Sequence, residues 1–402
     1  MPFCPPLARR AFLCYDAGEV NQMKPILTLI LACLLLAGCA SAPEPTQPDT
    51  TLPEPTVAET TVATVAPETL PPDPIGELMS SMALEDWVGQ LFLVGTGNPE
   101  HIKDYNLGGL LLFASDFANE TPGTSAMETI ARWQSEANIP LLIATDEEGG
   151  TVTRVSRYPY YRESKFQSPR SLYAQGGTDL VLSQEAEKSD LLRSLGVNVN
   201  LGPVCDITTD PNAFMYSRSL GLDPETTGSV VAQMVQTMTD HGIGSALKHF
   251  PGYGDNVDTH VGIAVDSRSL EALEARDLVP FRYGIQAGAD AIMVSHTVVE
   301  AIDPDLPASL SPAVHRFLRE EMGFDGVIIT DDLNMQAISD RYGAGEAAVQ
   351  AVLCGNDILC CTAYEAQYQA VLTAVLEGRI DFDTLKNAVR NVLEWKADLG
   401  LI

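Results

Sequence analysis

From about residue 75 onward, short and almost unbroken apolar runs alternate with longer stretches in which apolar positions recur every three or four residues. Eight of the short runs predict strands, at residues 91–94, 109–113, 141–144, 197–201, 246–249, 291–295, 327–330 and 358–361. Near-continuous hydrophobicity suits parallel strands that are covered on both faces. Helical periodicity fills the intervals, for example at 179–195, 225–241, 270–287 and 345–353. These patterns end at Gly196, Gly242, Gly288 and Gly355, where a left-handed residue closes a helix. Eight strand–helix units in roughly 325 residues predict an α/β fold, a single (β/α)8 TIM-type barrel. A doubly wound open sheet is the rival. Its nucleotide-binding form is weakened because no GxGxxG follows the first strand. The sequence shows no internal repeat and no second domain beyond the last helix, which closes at Leu399-Gly400.

Upstream of the barrel, at 75–402, the pattern changes twice. Within residues 1–39, Met23-Lys24-Pro25 opens an apolar run at 26–36, too short for a comfortable transmembrane helix. The run ends in Leu36-Ala37-Gly38-Cys39, which resembles the lipobox of bacterial lipoproteins. The resemblance implies cleavage before Cys39, a lipid on its thiol, and a protein tethered to the membrane at the bacterial cell surface. An ordinary signal peptide or an uncleaved anchor is the alternative. The 22 residues before Met23 fit no part of a signal, so Met23 competes with Met1 as the start. Residues 40–74 are rich in Pro, Thr and Glu and contain no Lys or Arg. Such a segment buries too little apolar surface to offset its ordering entropy and reads as a disordered stalk.

The formal charge of −30 argues against nucleic acid as a partner, because phosphates need a basic face. Cys205, Cys354, Cys360 and Cys361 lie in apolar runs without zinc-ligand spacing. They read as buried thiols, with a Cys354 disulfide to Cys360 or Cys361 as the alternative.

Reactive side chains collect where the predicted strands end. Strand three runs into Asp146-Glu147-Glu148-Gly149-Gly150 and then Thr151-Val152-Thr153-Arg154; strand four ends at Asn200, with Cys205-Asp206 beyond it. Strand five ends in Lys248-His249, strand six in His296 and strand seven in Asp331-Asp332. Each residue alone has a plainer reading: Asp331 as a helix cap, Lys248 as a surface cation, His296 as a satisfied core histidine. Five strand ends together point to the catalytic face of a barrel. The Gly/Pro-rich loop after Lys248-His249 also carries Asp258 and His260, an acid–imidazole pair suited to proton transfer near neutral pH. With no metal cluster, phosphate cradle or serine elbow in view, carboxylates facing a proton donor suit glycosidic bond cleavage. The unusual element is a histidine in place of the second carboxylic acid.

The segments Asp146 to Arg154, Asn200 to Asp206, Lys248 to Gly252 and Ile329 to Met335 resemble, in order, motifs of family 3 glycoside hydrolases, in their β-N-acetylhexosaminidase branch. That branch contains peptidoglycan-recycling enzymes. The resemblance implies Asp331 as nucleophile, His260 as general acid/base and Asp258 as the residue that orients it. It implies sugar binding by Asp146, Arg154, Lys248 and His249, and by Arg218 in Tyr216-Ser217-Arg218-Ser219-Leu220. It implies no metal or organic cofactor, a monomer, and a carbohydrate substrate ending in β-linked N-acetylglucosamine, such as a muropeptide. A β-glucosidase or a phosphorylase is the alternative within the family, and a solute-binding surface lipoprotein the alternative outside it. Tyr253 stands where many relatives have histidine, and its role is left open.

Overall fold

The strands begin where apolar runs leave the helical period. In the computed structural model, which describes residues 72–96, 100–254, 262 and 264–402, eight parallel strands form one ring. They are β1 Phe92–Gly95, β2 Gly109–Leu112, β3 Leu142–Thr145, β4 Val199–Asn200, β5 Gly244–Phe250, β6 Ala291–Val294, β7 Val327–Thr330 and β8 Leu359–Cys361. Neighbours in sequence are neighbours in the sheet, β8 pairs with β1, and a parallel bridge between Ile329 and Ile358 joins β7 to the start of β8. A doubly wound sheet leaves two open edges and reverses its strand order; this ring does neither. Cys39, the lipobox, the stalk up to residue 71, Asp258 and His260 lie outside the described residues.

Alternation along each strand separates two cores. Leu93, Leu111, Leu142, Ala144, Val199, Ala246, Ala291, Met293, Val327, Ile329 and Cys360 point inward and pack together inside the barrel. Their neighbours Phe92, Val94, Leu110, Leu112, Ile143, Leu359 and Cys361 point outward against helices, as do Leu247, Phe250, Ile292, Val294 and Ile328. Because side chains alternate with period two, the inward positions just beyond the apolar layers are Asp146 after Ala144, Lys248 after Ala246 and Asp331 after Ile329.

The helices follow the predicted pattern with two revisions. The helix expected from 179 is preceded by a further helical segment that starts at Pro169 with Ser168 as cap, the two separated by a kink at Gly176 and Gly177, whose backbones are not helical. The helix expected at 270–287 is two, Leu270–Glu274 and Leu278–Gln286. The break falls at Asp277, whose buried carboxylate accepts from Arg268 Nη1 at 2.6 Å. Gly196, Gly242, Gly288 and Gly355 all adopt positive φ. Before β1, Pro74–Ser81 and Leu84–Gln90 pack against the last helix, Phe382–Asp398. There Trp87 stacks on Phe382 at 4.8 Å and Asp73 pairs with Arg390 at 2.8 Å. Cys205, Cys354, Cys360 and Cys361 are free and buried, so the alternative disulfide does not form. Burial pushes all four thiols up.

Candidate active site

Loops at the carboxyl ends of the strands surround a cavity of about 460 Å³. Asp146, Arg154, Arg218, Lys248, His249 and Asp331 all line it, so six residues from four segments, widely separated in sequence, meet in one place. The volume suits a small-molecule site. Leu111, Leu201, Met293 and Cys360 form its apolar floor, and Phe113, Phe214 and Tyr253 are among its walls.

The loop after β3 is shaped by two features that precede any chemistry. Glu147 is fully buried and accepts from the backbone N–H groups of Arg154 and Val155, both at 2.7 Å, and from the Ser156 hydroxyl at 2.5 Å. Its own backbone is clasped by the Asn200 amide, which accepts from its N–H and donates to its carbonyl. Gly149, at φ +98°, then turns the chain where a Cβ would lie 2.2 Å from the Gln167 carbonyl oxygen. Held this way, the loop presents Asp146 and Glu148 to the cavity from one side and Arg154 from the other.

Three cations meet those carboxylates. Lys248 Nζ lies 2.7 Å from Asp146 Oδ1 and 2.8 Å from Glu148 Oε1. Arg218 holds Glu148 through Nε and Nη2, and Arg154 Nη2 reaches Asp146 Oδ2 at 3.4 Å. Lys248 is 1% exposed, which rules out the surface-cation reading. Burial pushes the Glu148 carboxyl up, but the Lys248 ammonium and the Arg218 guanidinium outweigh it and hold Glu148 well below the usual carboxylate range. For Lys248, burial works against the charge, and Asp146 and Glu148 outweigh it, so the ammonium is stabilised. Glu148, Lys248 and Arg218 are each held toward the charged form.

His249 is fixed in one tautomer. A carboxylate only accepts, so His249 Nδ1 donates to Asp206 Oδ2 at 2.7 Å, leaving Nε2 to accept from Arg218 Nη2 at 3.2 Å. The same carboxylate accepts from the Tyr253 backbone N–H at 2.7 Å. The Tyr253 ring is buried, edge-on to His249 at 5.2 Å and beside Phe214 at 5.7 Å. The position left open by sequence is therefore a packing wall behind His249.

Strand seven supplies the remaining carboxylates. Asp331 N donates to the Val294 carbonyl at 3.0 Å, and Asp331 Oδ1 accepts from the Asp332 N–H at 2.9 Å. Asp332 Oδ1 accepts from Asn334 N and Nδ2, so Asp332 braces the turn although it also touches the cavity. His296 does not belong to the lining. It is fully buried, bonded to Ser309 and to the backbone of Asp332, and its place in the set of reactive strand ends is corrected accordingly. Counting from Ala291 and Met293 turns residue 296 away, but the same count from Ala246 would turn His249 away too; the irregular register of β5 between Leu247 and Phe250 is where the two part. Glu148 and Asp206 were not singled out from the sequence. Their signal was burial of a charge beside Lys248 and His249, which only the fold discloses. Asp258 and His260 lie outside the described residues, between Gly254, which follows the cavity-lining Tyr253, and Val265–Asp266, which pairs with Val298–Val299. Among the described residues no group of His, Cys, Asp or Glu is arranged to hold a metal ion.

A family profile described as "Glycosyl hydrolase family 3 N terminal domain" matches residues 83–395. A protein named Beta-hexosaminidase from Stenotrophomonas maltophilia is 34% identical over 288 residues, covering 68% of this chain and 84% of its own. Among solved structures, a glycoside hydrolase family 3 beta-N-acetylglucosaminidase from Paenibacillus sp. str. FPU-7 superposes with a TM-score of 0.75 at 34% identity. That match covers 80% of this chain and 63% of the Paenibacillus chain. A Beta-N-acetylhexosaminidase from Beutenbergia cavernae has a TM-score of 0.68 at 28% identity, with 79% and 99% covered.

Proposed function

Because the chain belongs to glycoside hydrolase family 3, we propose that this hydrolase releases terminal β-linked N-acetylglucosamine from glycans in two displacements, with Asp331 as nucleophile. The observation that carries the reading is the union of Asp331 with the Asp146–Lys248–Glu148–Arg218 network in one cavity. The network supplies fixed donors and acceptors for sugar hydroxyls, and Asp331 supplies an attacking oxygen. Asp331 bonds to the anomeric carbon as the glycosidic oxygen departs with a proton from His260. Water, deprotonated by His260, then displaces Asp331 and frees the sugar with retained configuration. His260 must donate first and accept second, which suits a group titrating at roughly pH 6–7, with Asp258 orienting it.

Charge favours water over phosphate as the second nucleophile. Among the described lining residues, Arg154, Arg218 and Lys248 face Asp146, Glu148, Asp331 and Asp332, and every one of those cations is already ion-paired. A phosphate dianion entering that cavity meets net negative charge. A neutral sugar ring carries no charge for it to repel.

The apolar run closed by Leu36-Ala37-Gly38-Cys39 supports a lipid anchor on Cys39 that holds the enzyme at the cell surface, and the stalk supports a standoff from it. Activity on paired aryl substrates tests the main reading. The N-acetyl-β-glucosaminide is expected to be cleaved at least tenfold better than the β-glucoside, with free N-acetylglucosamine as product in phosphate buffer. A sugar phosphate as product, or a preference for the glucoside, overturns it.

A further inference from the structure

We propose that His296 is a positioning residue for the nucleophile, pinning the peptide that follows Asp332 and so fixing the carboxylate's approach to the sugar. The proposal rests on the reading of Asp331 as nucleophile. His296 is fully buried, and Nε2 lies 3.0 Å from the Asp332 carbonyl oxygen. A carbonyl can only accept, so Nε2 carries the hydrogen. Nδ1 lies 2.7 Å from the hydroxyl of Ser309, which is itself fully buried and donates its backbone N–H to the Ser295 carbonyl at 3.0 Å. The imidazole is thus held from behind by the segment that follows β6 and presents one donor to the turn that follows β7.

That turn is also braced from within, by Asn334 N and Nδ2 on Asp332 Oδ1 and by Met335 N on the Asp332 carbonyl at 2.9 Å. Asp331 N is tied to Val294 and Leu333 N to the Cys360 carbonyl, each at 3.0 Å, which anchors the turn's two ends to neighbouring strands. Between them, the Asp332 N–H holds Asp331 Oδ1 at 2.9 Å. The peptides on either side of the Asp332 Cα therefore do two linked jobs: one holds the nucleophile's oxygen, and the other is held by His296. Without the imidazole donor, the Asp332 carbonyl keeps only the Met335 N–H at 2.9 Å, a bond within its own turn, and loses its tie to the segment that follows β6. A turn no longer tied to that segment can shift the Asp332 Cα, and with it the N–H that holds Asp331 Oδ1. Misplacing a reacting group by about 1 Å costs on the order of 10²-fold in rate.

The test uses the full chain and two substitutions. His296→Met removes the donor at similar volume; His296→Gln keeps an N–H at comparable reach. Expected for His296→Met are a kcat on an aryl N-acetyl-β-glucosaminide lower by about 10²-fold and a KM nearly unchanged, because Asp146 and Lys248 still grip the sugar. Covalent capture of Asp331 by an activated 5-fluoro glycoside, followed by mass spectrometry, should slow in proportion, and His296→Gln should recover most of the rate. Capture at the wild-type rate in a folded His296→Met chain overturns the proposal, as does a folded His296→Gln chain as slow as His296→Met. Should His296→Met not fold, Ser309→Ala carries the test, since it releases the ring's far nitrogen; unchanged capture there is equally fatal. Failure of the nucleophile reading looks different: no label reaches Asp331 in the unaltered chain.

Discussion

Arg218 meets Glu148 side-on, with Nη2 2.6 Å from Oε1 and Nε 2.9 Å from Oε2, and Lys248 closes on the same Oε1 at 2.8 Å. Breaking a buried pair leaves an uncompensated charge, at a cost of about 3–5 kcal/mol. Glu148→Gln should therefore lower the melting temperature and raise KM by roughly tenfold or more, since Arg218 and Lys248 lose their shared anchor. The folded carboxyl is held below its ordinary value, so its contribution is complete above the ordinary carboxylate range and is lost only as pH falls well below it. Melting curves between pH 3 and 7 should show the acid limb of stability flattened in the variant.

Asp331 and His260 are expected to fail in different ways. Asp331→Ala should abolish turnover of every N-acetylglucosaminide while leaving the melting curve intact. His260→Ala should slow substrates with sugar leaving groups far more than activated phenolates, because a good leaving group needs no proton. Equal losses for both substrate classes would sink the acid assignment.

Gly149 and Gly288 separate two costs of an added methyl group. Both have positive φ, but a Cβ at Gly149 meets the Gln167 carbonyl at 2.2 Å, whereas at Gly288 it meets nothing. Gly288→Ala should cost only the backbone strain, about 1–2 kcal/mol. Gly149→Ala should cost more and, because the loop carries Asp146 and Glu148, also reduce kcat/KM. Parallel melting and kinetic measurements distinguish them.

Lys396 is buried on the last helix, with Nζ 2.6 Å from Gln90 Oε1. Burial pulls its ammonium down to about 7 from 10.5. Between those values the unfolded chain binds more protons than the folded one, so this group makes stability rise with pH from about 7 to about 10.5. Its full cost applies below that window. Lys396→Met should remove the slope: its melting temperature should exceed that of the unaltered chain most at pH 6, and the gap should close toward pH 10.

Sequence alone determined the eight strands, because buried parallel strands must be apolar on both faces, and it placed Asp146, Lys248 and Asp331 at strand ends. Period-two alternation even assigns these three to the barrel interior. It started a helix at Asp179, just past the Gly176-Gly177 kink, but left the break at Asp277 unread, because a helix pattern does not show where a buried carboxylate will claim an arginine. Nor did it distinguish His249, which lines the cavity, from His296, which does not. Both are histidines at strand ends, and the local chain carries no mark of which has Asp206 behind it and which has Ser309. Tertiary structure decided that, because hydrogen-bond partners up to about a hundred residues apart (Lys248 and Asp146 among them) are brought together only by closure of the barrel.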